Sequence, residues 1–171
     1  MSFEAKPIDT ADKVAFYAEL AQQARGLLHG ERDRIANAAN FAALVWHAVP
    51  RINWCGFYFF DGRELVVGPF QGKPACVRIA LGRGVCGTAA TTRETQVVAD
   101  VNAFPGHIAC DAASRSEVVV PLYIGEALLG VWDVDSPEPA RFDDEDARGM
   151  QILCEIFLKS LSPSTQTEAA A

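Results

Sequence analysis

The chain has 171 residues and a formal net charge of −7, a length that fits one domain able to bury roughly 68–70% of the surface its unfolded form exposes. Lys and Arg are nowhere clustered, so a nucleic-acid phosphate surface and an anionic membrane are excluded as partners, and a small molecule or another protein is expected. The opening Met1-Ser2-Phe3-Glu4-Ala5-Lys6 lacks a basic stretch followed by an apolar one, and no run approaches the ~18 apolar residues of a membrane span, so a cytoplasmic protein is expected.

In chain order, Asp9 or Thr10 is the expected N-cap of a first helix with apolar positions Val14, Ala15, Ala18, Ala21 and Ala24, ended by Gly26 and Gly30. A second helix carries Ile35, Ala38, Ala39, Ala42, Leu44, Val45 and Val49 and stops at Pro50. Ile52 to Phe60 reads as a strand, turned by Asp61-Gly62 into a second strand from Glu64 to Phe70. Gln71-Gly72-Lys73-Pro74 leads to a third, Ala75 to Leu81, and Gly82-Arg83-Gly84 opens a short helix from Val85 to Thr92. Thr95 to Val98 is a fourth strand, and Glu117 to Ile124 and Ala127 to Val134 form a second hairpin about Gly125-Glu126. Acids at 143–146 start a last helix with an apolar stripe of Met150, Leu153, Cys154, Phe157, Leu158 and Leu161. The domain so defined runs over residues 8–161, and Ser162 to Ala171 reads as a disordered tail. These elements predict an α+β fold: a mostly antiparallel sheet of about six strands, helices on one face and room for a ligand on the other.

Roughly 18 residues without periodicity separate Val98 from Val118, longer than the ~12–15 beyond which a loop in a compact domain is usually functional or disordered. Ile108, Ala109, Ala112 and Ala113 argue against disorder, so the loop reads as an active-site segment presenting Cys110. Strand alternation places Trp54, Gly56 and Tyr58 on one face and Asn53, Cys55, Phe57 and Phe59 on the other. Asp133 and Asp135 share a face, and with Glu117 at the start of the neighbouring strand they could form a three-carboxylate cluster. Carboxylates with large aromatics suit an ammonium-bearing ligand, although a solvated polar face is the commoner meaning of such acids. The five cysteines lack an export context and read as thiols. Cys55 and Cys154 are expected in the core, whereas Cys76, Cys86 and Cys110 lie beside Gly-rich or loop segments. A zinc set of Cys76, Cys86, His107 and Cys110 has ligand-like spacing only in its H-x-x-C pair, and no C-x-x-C occurs, so neither metal nor cofactor is expected.

Five stretches together, Trp54-Cys55-Gly56-Phe57-Tyr58, Gly72-Lys73-Pro74-Ala75-Cys76, Gly84-Val85-Cys86-Gly87-Thr88, the block from Gly106 to Glu117 (G-H-I-A-C-D-A-A-S-R-S-E) and Trp132-Asp133-Val134-Asp135-Ser136, resemble the free methionine-(R)-sulfoxide reductases, which are single GAF-domain enzymes. The resemblance implies a GAF-like fold with its ligand pocket on the sheet face away from the helices, and a homodimer. It also implies reduction of free methionine-R-sulfoxide through a cysteine sulfenic acid and a disulfide, with thioredoxin as reductant. In that scheme Cys110 is the nucleophile, Cys76 the resolving cysteine and Cys86 an accessory thiol. Glu117, Asp133 and Asp135 polarise the sulfoxide oxygen and hold the ammonium, Trp54 and Tyr58 cradle the methyl end, and backbone N–H groups after Gly84 receive the carboxylate. A sensory GAF module and a thiol redox sensor are the alternatives from other functional classes.

Overall fold

The computed structural model describes residues 3–106, 108 and 111–162. His107, Ala109 and Cys110 lie outside the described residues, as does the expected tail from residue 163 onward.

Helix α1 (Lys13–Leu27) starts at Asp12, not at Asp9 or Thr10, because the Asp12 carboxylate accepts from Ala15 N at 3.1 Å while the Thr10 hydroxyl is occupied by Asp12 N. The helix runs through Gly26, and its termination falls to Leu28 and the left-handed Gly30 at φ 82°. Helix α2 (Arg34–Ala48) is capped by Asp33 and stops before Pro50. The sheet comprises β1 (Trp54–Phe60), β2 (Leu65–Gly72), β3 (Arg78–Ile79), β4 (Gln96–Val98), β5 (Ser116–Ile124) and β6 (Ala127–Ser136), interrupted by α3 (Gly84–Thr92) and followed by α4 (Asp144–Ser160). The first hairpin turns through four residues, since Asp61 accepts from both Arg63 N and Glu64 N and holds them out of the ladder. β3 is far shorter than Ala75 to Leu81: only Arg78 and Ile79 pair with β2, and Ala75 and Cys76 have left the sheet. The long loop contains a 3₁₀ turn at Val101–Ala103 that buries Val101 and anchors its N–H on Arg115 O.

The strand order is β3-β2-β1-β6-β5-β4, with every neighbouring pair antiparallel, so β1 and β6 lie at the centre. Helices α1, α2 and α4 cover one face over an aromatic core in which Phe41, Phe57, Trp132 and Phe157 meet. A capping box at Asp143 starts α4, and buried Asp146 receives Tyr17 Oη, Lys13 Nζ and Arg141, tying α1 to the start of α4. The short α3 lies against the opposite face, where Trp54, Tyr58, Leu65, Ile79, Val85, Val119 and Val131 form a second, smaller cluster. The helix layer is thus three helices on one face, and the fourth closes the other.

The β5–β6 hairpin is not regular. Near the turn Tyr123 faces Leu128 and Ile124 faces Ala127, but beyond it Leu122 faces Gly130, so β6 carries one extra residue at Leu129. Gly130 follows the bulge at a point where a Cβ would collide with the Tyr58 carbonyl oxygen of β1. In the shifted register Glu117 stands opposite Asp135 and Val119 opposite Asp133. Without the extra residue Glu117 would face Val134, and its side chain would enter the helix-side core.

Candidate active site

β1, β5, β6 and α3 together line a cleft that opens to solvent. Register decides what meets there. Trp54, Asp135 and Glu117 form one rung across β1, β6 and β5; Gly56, Asp133 and Val119 form another, two residues along. Paired residues across antiparallel strands point the same way, so the three carboxylates converge on the face turned from α1, α2 and α4. The Trp54 ring lies across Gly56, stacks on Tyr58 and Phe70 with centroids 5.8 and 5.3 Å away, and donates from Nε1 to Lys73 O at 3.1 Å. An apolar wall thus stands beside an acidic floor. At the other end Gly84, Val85 and Cys86 bring the first turn of α3 to the cleft, where backbone N–H groups lack intrahelical acceptors.

Glu117 and Asp133 are only 5% and 6% exposed, and burial is the first cause that raises both carboxyls above their ordinary range. Asp133 rises to about 7, held from going higher by hydrogen bonds from the Cys86 thiol and from Glu117. Glu117 and Asp135 are raised further, after burial, by the charge of Asp133. Burial thus favours the neutral form of Glu117 over its carboxylate. Asp133 Oδ2 accepts from Cys86 Sγ at 3.4 Å, while its Oδ1 is buried with no hydrogen-bond partner among the described residues. The Cys86 thiol is likewise pushed up, by burial first and by Asp133 next, and is held as a neutral S–H.

Of the residues singled out from the sequence, Trp54, Tyr58, Cys86, Glu117, Asp133 and Asp135 all line this one cleft. Cys76 is disulfide-bonded and packs half-buried on the same side of the sheet, next to cleft-lining Ala75. Cys110 and His107 lie outside the described residues. Cys55 and Cys154 are buried in the helix-side core, where the absence of water raises both thiols.

One group was missed. Asn53, which alternation assigned to the side of Cys55, precedes the first residue of β1 and is not bound by strand alternation. Its Nδ2 donates to Asp111 Oδ2 at 3.3 Å and Ser114 Oγ at 3.1 Å, both residues of the cleft wall. Asp111 also meets Lys73 Nζ at 3.4 Å, and the Ala113 N–H, with Lys73 contributing, holds its carboxyl below the usual range. The available signal was the Asx-turn pattern at Asp111, whose Oδ1 accepts from Ala113 N at 2.9 Å. These contacts tie the segment before Cys76 to the residue after Cys110.

A GAF-domain profile matches residues 37–157. A free methionine-R-sulfoxide reductase of Escherichia coli is 49% identical over 151 residues, covering 88% of this chain and 92% of that relative. The chain belongs to the free methionine-R-sulfoxide reductase family of GAF domains. The family's solved structures include the Neisseria meningitidis free methionine-R-sulfoxide reductase in complex with its substrate, 43% identical with a TM-score of 0.87, covering 92% of this chain and 96% of that one. The Staphylococcus aureus enzyme in its reduced form is 49% identical with a TM-score of 0.83, covering 85% and 95%. The family shares the sheet and the helix layer seen here, and no helix among the described residues is long and apolar enough to cross a membrane.

Proposed function

We propose that this chain reduces free methionine-R-sulfoxide to methionine in the cleft between β1, β5, β6 and α3. The observation that carries this function is the convergence of three carboxyls, Glu117 and Asp133 among them buried, on one side of a stacked Trp54–Tyr58 wall. A sulfoxide oxygen needs a proton or positive charge as its sulfur is attacked, and carboxyls kept protonated by burial can supply it near neutral pH. A carboxylate beside them can pair with the substrate ammonium, the aromatic wall can take the methyl group, and the first turn of α3 can take the substrate carboxylate.

In the proposed cycle Cys110 attacks the sulfoxide sulfur, oxygen passes to Cys110 as a sulfenic acid, and the thioether of methionine departs. The Cys76 thiol then condenses with the sulfenic acid, forming a disulfide and releasing water, and the dithiol of thioredoxin reduces that disulfide. The disulfide-bonded state of Cys76 and the placement of Ala75 in the cleft wall support its part in this chemistry. Cys86, buried and hydrogen-bonded to Asp133, serves as an accessory thiol that helps fix the acid's position. The homodimer, the cytoplasmic location and the thioredoxin partner are carried by the family resemblance. The deciding experiment incubates the reduced protein with free methionine-R-sulfoxide and with the S epimer, each with a thioredoxin system. Methionine is expected from the R epimer alone; failure to turn over either epimer overturns the function.

A further inference from the structure

We propose that Cys86, Glu117 and Asp133 also form a binding site for a thiophilic divalent cation of the zinc type, and that this ion and the amino-acid substrate exclude one another. The donor set comes from three different elements, α3, β5 and β6, and all three side chains are buried. One thiol sulfur and two carboxylate oxygens lie within 4.8 Å of one another. A tetrahedral zinc with Zn–S near 2.3 Å and Zn–O near 2.0 Å separates its sulfur and oxygen ligands by about 3.5 Å. Cys86 Sγ and Asp133 Oδ2 already stand 3.4 Å apart. That pair already has ligand spacing, and the ion would draw Glu117 in as the third donor, displacing the thiol proton and any proton on Glu117 as it binds.

A second observation points the same way. Asp133 Oδ1 is buried without a hydrogen-bond partner among the described residues, so the site holds an acceptor that an incoming positive or proton-donating group can satisfy. The substrate ammonium is one such group and a metal ion is another. The thiol makes the difference: it adds nothing to ammonium binding but selects soft cations over magnesium or calcium, which take oxygen ligands. The spacing along the chain gives no hint of this set. Cys86, Glu117 and Asp133 are far apart in sequence, and of the residues weighed as zinc ligands from sequence only Cys86 belongs to it.

The test uses the protein with Cys76 disulfide-bonded, as in the structure, where Cys55, Cys86 and Cys154 are free thiols. Cadmium is titrated while the sulfur-to-metal charge-transfer absorbance is followed, and zinc affinity is measured by competition with a chromophoric chelator. One ion per chain is expected, with the charge-transfer band abolished in Cys86→Ala and retained in Cys154→Ala. Zinc affinity should fall at least ~100-fold in Cys86→Ala and in the near-isosteric Asp133→Asn and Glu117→Gln, since loss even of outer-shell partners costs 10–100-fold. Circular dichroism melts identify any variant that has lost its fold, and the remaining variants then decide. Free methionine-R-sulfoxide should weaken apparent zinc affinity in proportion to its own concentration. A charge-transfer band that survives Cys86→Ala, zinc affinity unchanged in the folded carboxylate variants, or zinc binding indifferent to the sulfoxide overturns the proposal. The first two readouts do not depend on turnover, so an intact cadmium band without sulfoxide reduction would overturn the proposed function and leave the metal site standing.

Discussion

Acetylating the substrate nitrogen tests whether the buried acids recognise an ammonium group. N-acetyl-methionine-R-sulfoxide keeps the reacting sulfur and oxygen and removes one charge. Glu117 and Asp133 are about nineteen-twentieths buried, and Asp133 Oδ1 has no partner among the described residues, so replacing the ammonium by an amide with one uncharged N–H and a bulky acetyl group weakens or removes the bond to that oxygen. A hydrogen bond to a charged group is worth about 1.5–3 kcal/mol, and leaving a buried polar group unsatisfied costs about 1–3 kcal/mol. The second penalty is capped, because a carboxyl already raised to about 7 can take a proton instead of remaining charged. A combined loss of about 3 kcal/mol corresponds to at least ~10²-fold in kcat/KM, at about 1.36 kcal/mol per tenfold. The assay compares initial rates for the free and acetylated R epimers under one reducing system. Because the cap operates through protonation, discrimination should widen from pH 6 to pH 8. Comparable kcat/KM for the two compounds across that range would sink the ammonium-pairing account even if sulfoxide turnover were robust.

Cys110→Ser should abolish reduction with the fold retained, as a hydroxyl cannot carry the oxygen away; substantial residual turnover would make Cys76 or Cys86 the nucleophile. Cys76→Ser should release about one methionine per site in a single-turnover assay and then stall with thioredoxin as sole reductant, and a variant yielding no methionine would remove Cys76 as resolver. The raised carboxyls also predict a pH dependence of stability: their folded pKa values exceed the unfolded ~4, so the stabilisation is full below pH ~4 and is lost as pH rises through about 7 for Asp133. Urea midpoints should therefore decline from pH 5 to pH 8 in the ligand-free protein and decline less in Asp133→Asn; parallel declines would place the titration elsewhere. Gly130→Ala, which drives a methyl group into the Tyr58 carbonyl, should cost about 1–3 kcal/mol and disturb the bulge that aims Glu117, so an unchanged melting temperature would argue against that close approach.

The α+β class, the order of elements and the faces of β1 and β6 were legible in the residues because side-chain periodicity is a local property. Phe57 and Cys55 turn to the helices and Trp54 and Tyr58 to the cleft, as alternation requires once the strand is recognised. The same holds for Cys154 in the last helix, which shares its apolar stripe with Met150, Phe157 and Leu158. Boundaries were less legible where two local signals competed: Thr10 and Asp12 can both cap a helix, and only the hydrogen bond to Ala15 N chooses Asp12. β3 shrank to two residues because an edge strand extends only as far as its single neighbour pairs with it. What tertiary structure alone decided is the register between strands. Asp133 and Asp135 share a face by sequence, but whether Glu117 joins them depends on the extra residue at Leu129, which moves Glu117 from beside Val134 to beside Asp135. A slip of one residue turns every side chain of a strand to the opposite face. The hairpin turn, Gly125-Glu126, reads the same with or without that bulge. The bulge appears only in the pairing of β5 with β6, a contact between separate strands, and it is that register that brings the third carboxyl into the site.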